Sequence, residues 1–138
     1  MKSGLSCLHF SLFFVRKKVL FLAQSLSQIS GLSPEAALRF FGGDEAMYRR
    51  FLKRFADDAS FASLRLALEK DDVSSAFLFA HTLKGLSKQL GLCALSGPSE
   101  VLCELLRPLD PAALPRAKAL FAQLEAPYAR LVSALKAL

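Results

Sequence analysis

The segment AHTLKGLSKQLG, Ala80–Gly91, sets a histidine, two lysines and a glycine in a stretch that otherwise reads as helix. A neutral imidazole is a competent nucleophile at pH 7, so His81 is either a solvated surface residue or the centre of a site. At 100° per residue, Ala76, Phe79, Leu83, Leu86 and Leu90 form a narrow apolar stripe, the expected core-facing side. His81 falls about 180° from the centre of that stripe and is expected to face outward. Lys88 lies within about 20° of it, Gly85 and Phe77 within about 40°, and Lys84 and Leu78 within about 60°. Lysines on an outward face are ordinary, but Gly85 is not: glycine inside a helix costs about 1 kcal/mol relative to alanine. Four residues after His81, it either leaves the space beside the imidazole uncovered or lets a neighbouring helix pack closely. Phe77 and Leu78 read as a docking patch, or as surface beneath a covering segment.

Other chemistries find little support. The three cysteines, Cys7, Cys93 and Cys103, are odd in number and lack metal-type spacing, which suggests reduced thiols in a cytoplasmic protein. Only His9 and His81 are present, and no paired Glu-x-x-His motif, so a di-metal bundle is not expected. Gly42-Gly43 is not a phosphate loop, and no ATP-binding motif occurs, so a kinase is not expected. The net charge of +6 is uneven: residues 1–30 hold Lys2, Arg16, Lys17 and Lys18 and no acid, while the remaining 108 residues carry 14 bases and 12 acids. A body so near neutrality lacks the basic stripe of a dedicated nucleic-acid binder.

The elements that must position His81 are helical. The chain has 138 residues, 53% of them hydrophobic, no tryptophan and no competing strand signal, which favours one all-α domain. Ser33-Pro34 should cap and open a short helix ending near Phe41. Gly42-Gly43 stops it and Asp44 caps the next, expected to run to about Glu69 with Tyr48, Phe51, Phe55, Ala59, Ala62 and Leu66 on one face. Asp71-Asp72 recaps the chain, and the His81 helix runs from Val73 to about Leu90, where Gly91 ends it. A further helix is expected over about Gly97–Arg107, with Pro98 in its first turn. Asp110-Pro111 opens the last, striped by Ala117, Leu120, Leu124, Tyr128, Leu131, Leu135 and Leu138, with a kink at Pro127. These elements predict an antiparallel up-down four-helix bundle with a short additional N-terminal helix.

Residues 1–30 read as a leader before a domain spanning 31–138. The apolar run Leu8–Val15 is too short to span a membrane, and no small-residue cleavage site follows it. Leu5, Leu8, Leu12, Val15, Val19, Leu22, Leu26 and Ile29 alternate three and four apart, a heptad stripe. The leader is thus an amphipathic helix that docks on the domain, pairs with a copy of itself to make a homodimer or touches a membrane surface, or else the true start lies downstream.

Ala80, His81, Leu83, Lys84, Gly85, Gln89, Leu90 and Gly91 together resemble the signature of histidine phosphotransfer (HPt) domains of two-component phosphorelays. The upstream FFGGDEAMYRRFLKRF also resembles the family's first two helices, and the similarity covers about Leu32–Leu109. The resemblance implies a phosphocarrier rather than an enzyme. His81 would accept a phosphoryl group from a receiver-domain aspartate and pass it to another receiver. Lys84 would stabilise the developing charge, Gly85 would give the receiver's loops access, and Phe77 and Leu78 would help dock it. Lys88, Gln89, Glu104 and Arg107 are accessory candidates. Partners would be response-regulator receiver domains and a hybrid sensor kinase. No cofactor is expected on this chain; Mg²⁺ would sit on the receiver. One departure stands out. Many members place Gln or Glu 22 residues after the histidine to hydrogen-bond the imidazole; here that residue is Cys103, a weak hydrogen-bonder. Glu100 or Glu104 would substitute if the helix started elsewhere than Gly97. The alternative function is a non-catalytic helical interaction module, either a degenerate HPt that binds receivers without phosphorylation or a scaffold dimerised through its leader.

Overall fold

A computed structural model describes residues 26–138. Among these residues every regular element is helical: α1 (Pro34–Phe40), α2 (Glu45–Ala56), α3 (Ser60–Glu69), α4 (Val73–Gln89), α5 (Cys93–Leu106), a 3₁₀ turn (Pro111–Ala113) and α6 (Leu114–Lys136). The leader's heptad stripe lies outside the described residues except for its last two members. Leu26 is fully buried and Ile29 packs against the core, so the packed body takes in the end of the segment read as a leader.

Asp44 caps α2 by accepting from the Met47 N–H at 3.0 Å, and Asp72 caps α4, accepting from the Ser75 N–H at 3.1 Å and the Ser75 hydroxyl at 2.7 Å. Ser33 makes no side-chain cap bond; Pro34 alone marks the start of α1.

The long second helix expected to reach Glu69 is instead two helices. The chain leaves α2 after Ala56, and Asp58 accepts from the Ser60 N–H at 2.8 Å to start α3. The break resets the helical phase. Tyr48, Leu52 and Phe55 are buried before it, and Phe61, Leu64, Ala67 and Leu68 after it, while Ala59, Ala62 and Leu66 are exposed rather than continuing the stripe. The next helix also differs: α5 starts at Cys93, four residues before Gly97, and carries Pro98 inside it. Leu95, Leu102, Cys103 and Leu106 on α5 are buried, and their packing outweighs the backbone hydrogen bond that Pro98 cannot donate.

The α2–α3 pair runs antiparallel to α6. Phe61 stacks on Tyr128 with ring centroids 3.7 Å apart and on Phe121 at 4.7 Å, and further along the same edge Lys118 pairs with Asp71 at 2.6 Å. On the other side of the bundle α4 lies between α3 and α5, and α5 packs on α6. Helix α6 continues across Pro127 to Lys136. Two ties fix the end of α4. The buried Tyr48 hydroxyl donates to the Leu90 carbonyl at 2.6 Å, and the Ser33 N–H donates to the Gly91 carbonyl at 2.8 Å. Gly91 sits at φ +69°, and a Cβ there would run into the Ser33 carbonyl oxygen, so only glycine suits this close approach.

Candidate functional site

The buried face of α4 is built from small residues as well as large ones: Val73, Ala76, Ala80, Leu83, Ser87 and Leu90. Phe79 and Leu86, expected in the stripe, are only half-buried, so the core side is turned by about 40° from the apolar stripe. The pattern misled because Ser87 satisfies its own hydroxyl by donating to the Leu83 carbonyl at 2.5 Å, which lets a polar residue enter the core. Ala76, Ala80 and Ser87 on α4, with Ser99 and Cys103 on α5, are all buried and small, as close helix packing requires.

His81 nevertheless remains exposed, about 140° from the centre of the buried face. Among the described residues its imidazole makes no hydrogen bond or ion pair; its ring contact is with Phe77, one turn earlier, at 6.1 Å between centroids. A Cβ built on Gly85 would find nothing within 4 Å, so the close-packing reading of this glycine fails and the space beside the imidazole is open. Leu78 is 59% exposed, whereas Phe77 is half-buried. Of the two apolar candidates, Leu78 therefore presents the freer surface.

The charged residues form a seam between α4 and α5. Lys84 is half-buried beside the Glu104 carboxylate. Lys88 is engaged elsewhere, paired with Glu100 at 3.0 Å. Glu104 accepts two bonds from Arg107, from Nε at 3.0 Å and Nη2 at 2.7 Å. The Arg107 guanidinium in turn lies over the Phe77 ring, 5.6 Å from its centroid. The hydrogen bond from Arg107, and then its charge and that of Lys84, hold the Glu104 carboxyl below the usual range. Gln89 is exposed near the end of α4, and it lines a cleft with Phe51, Arg54 and Leu86 rather than the seam.

Cys103 is fully buried. The earlier start of α5 does not bring a substitute to the imidazole: Glu100 is bound to Lys88 and Glu104 to Arg107, and neither hydrogen-bonds His81. Sequence reasoning thus found the seam's members singly but missed that Phe77 is shared by His81 and Arg107. The signal was there in outline, since a Phe four residues before a His shares its helix face.

No group of His, Cys, Asp and Glu among the described residues could hold a metal ion, and no helix among them is long and apolar enough to cross a membrane. Neither a curated protein nor a solved structure matches the chain. The sequence model of the Hpt domain matches residues 46–134, which include His81, the whole seam and most of the bundle. A match over well over half of the chain, on an all-helical body that carries the histidine outward, makes this protein a member of the Hpt domain family.

Proposed function

We propose that this protein is a phosphorelay carrier whose acceptor is His81. A lone pair on one ring nitrogen attacks the phosphorus of a receiver's aspartyl phosphate. The P–O bond to the aspartate breaks, the carboxylate departs with the bond's electrons, and the ring gives up its other N–H proton to water. Transfer onward to a second receiver is the same exchange in reverse. Lys84 stabilises the charge spread over the phosphoryl oxygens. Gly85 leaves room for the receiver's loops, and Leu78 with Phe77 offers apolar surface for docking. Mg²⁺ and the catalytic acids come with the receiver, and a hybrid sensor kinase is the source of phosphate at the head of the relay. The chain carries phosphate without catalysing its own turnover, and works in the cytoplasm.

The observation that supports this reading most is the exposed, unbonded imidazole of His81 beside the open volume over Gly85. The test is incubation of the full chain with phosphorylated receivers, against a His81→Gln control. Acid-labile, base-stable label on the wild type alone is the expected result. A second reading, binding without phosphorylation, is favoured by one feature: buried Cys103 stands where an imidazole-orienting Gln or Glu is usual, and neither Glu100 nor Glu104 replaces it. Stable complexes with receivers but no label on either protein would select that reading.

A further inference from the structure

The seam between α4 and α5 has a regular antiparallel register. Lys88 pairs with Glu100; four residues back along α4 and four forward along α5, Lys84 faces Glu104. Three more residues along each helix bring His81 level with Arg107. The Phe77 ring confirms the alignment, since it lies 6.1 Å from the His81 ring centre and 5.6 Å from the Arg107 guanidinium carbon. Arg107 thus stands across the seam from the imidazole, at the C-terminal cap of a helix that the signature segment does not include.

We propose that Arg107 is a second phosphoryl-binding cation, held by Glu104 while His81 is empty and drawn onto the phosphoryl oxygens once His81 is loaded. The inference rests on the phosphocarrier reading of His81. In the empty state the two carboxylates of the seam face three cations: Glu100 holds Lys88, Glu104 holds Arg107, and Lys84 feels the Glu104 charge without an ion pair of its own among the described residues. A phosphoryl dianion placed on the imidazole adds two negative charges next to this surplus of positive charge. Two of its three oxygens offer the guanidinium a paired acceptor, as the two carboxylate oxygens of Glu104 do now. The exchange is cheap, because the Arg107–Glu104 pair is about half exposed on both sides and such pairs are weak. The Phe77 ring neighbours both the imidazole and the guanidinium, so its face can support the guanidinium as it moves.

The test needs no receiver. The full chain is phosphorylated with phosphoramidate, whose N–P bond breaks as the bond to His81 forms and ammonia leaves. The phosphohistidine is then titrated by ³¹P NMR in the wild type, Arg107→Ala, Arg107→Lys and Glu104→Gln. Removing one unit charge several ångströms away in a water-like dielectric should raise the phosphoryl titration midpoint of R107A by roughly half a pH unit. R107K should recover part of that shift. E104Q, which frees the guanidinium, should move the midpoint down. Circular dichroism checks that each variant keeps its helices, and the opposite signs expected for R107A and E104Q separate a local charge effect from general loosening. Equal midpoints in wild type and R107A would overturn the role of Arg107 while leaving the carrier reading intact. A wild-type chain that takes no label at His81 would instead bring down the carrier reading, and this inference with it.

Discussion

Gly85 offers a way to separate stability from function in one substitution. It is an interior residue of α4, helical, exposed and without a neighbour within 4 Å of where its Cβ would stand. Nothing in the packing therefore opposes a side chain, and the backbone would gain. Replacing an exposed helical glycine by alanine is worth about 0.8–1 kcal/mol, because alanine loses less conformational freedom on folding. For a body of this size that corresponds to a rise in Tm of about 3–5 °C. Gly85→Ala should thus be more stable in urea or thermal unfolding followed by circular dichroism, and Gly85→Leu should keep most of the gain. Phosphotransfer should move the other way. One turn from His81, the added atoms occupy the volume a receiver's loops need, so transfer from a phosphorylated receiver should slow for alanine and slow further for leucine. Labelling by phosphoramidate, a small donor, should barely change. A series in which both variants are stabilised yet exchange phosphate with receivers at the wild-type rate would refute the steric role of Gly85. A loss of stability would refute the view that its surroundings are empty.

Three further outcomes follow from the geometry. Lys84→Ala should leave helix content and Tm near wild type but slow transfer by about tenfold, roughly 1.4 kcal/mol of barrier; wild-type rates in stopped transfer assays would rule out its electrostatic role. Tyr48→Phe removes the buried hydroxyl that donates to the Leu90 carbonyl, and should cost about 1–2 kcal/mol in denaturant unfolding, with the end of α4 losing amide protection first. The Asp72 carboxyl is held below its usual range, first by the Ser75 hydroxyl and then by the Ser75 N–H. A carboxylate with a lowered folded value contributes fully above the ordinary carboxylate range and loses that contribution as pH falls through the lowered value. The acid arm of a stability-versus-pH curve should therefore flatten in Asp72→Asn.

The residues that do the proposed chemistry were readable along the chain because they sit within a few turns of one helix. His81, Lys84 and Gly85 share a face through the 3.6-residue period alone, and no contact with another element is needed to turn them outward. Caps at Asp44 and Asp72 were equally local, since each closes on a backbone N–H three residues on. What escaped was whatever depended on a partner helix. The chain breaks after Ala56 and restarts at Ser60, whose N–H donates to Asp58, because Phe61 and Leu64 must turn onto Tyr128 and the core, a demand that no short window contains. The early start of α5 and the toleration of Pro98 likewise come from burial of Leu95, Leu102 and Cys103. The roles of the seam's acids were set across the same interface. Sequence made Glu100 and Glu104 candidates to orient the imidazole, but the antiparallel register hands them to Lys88 and Arg107 instead. Periodicity determines which way a side chain leaves its own helix; only packing decides what it meets there, because the meeting partner is distant in sequence and near only in the folded bundle.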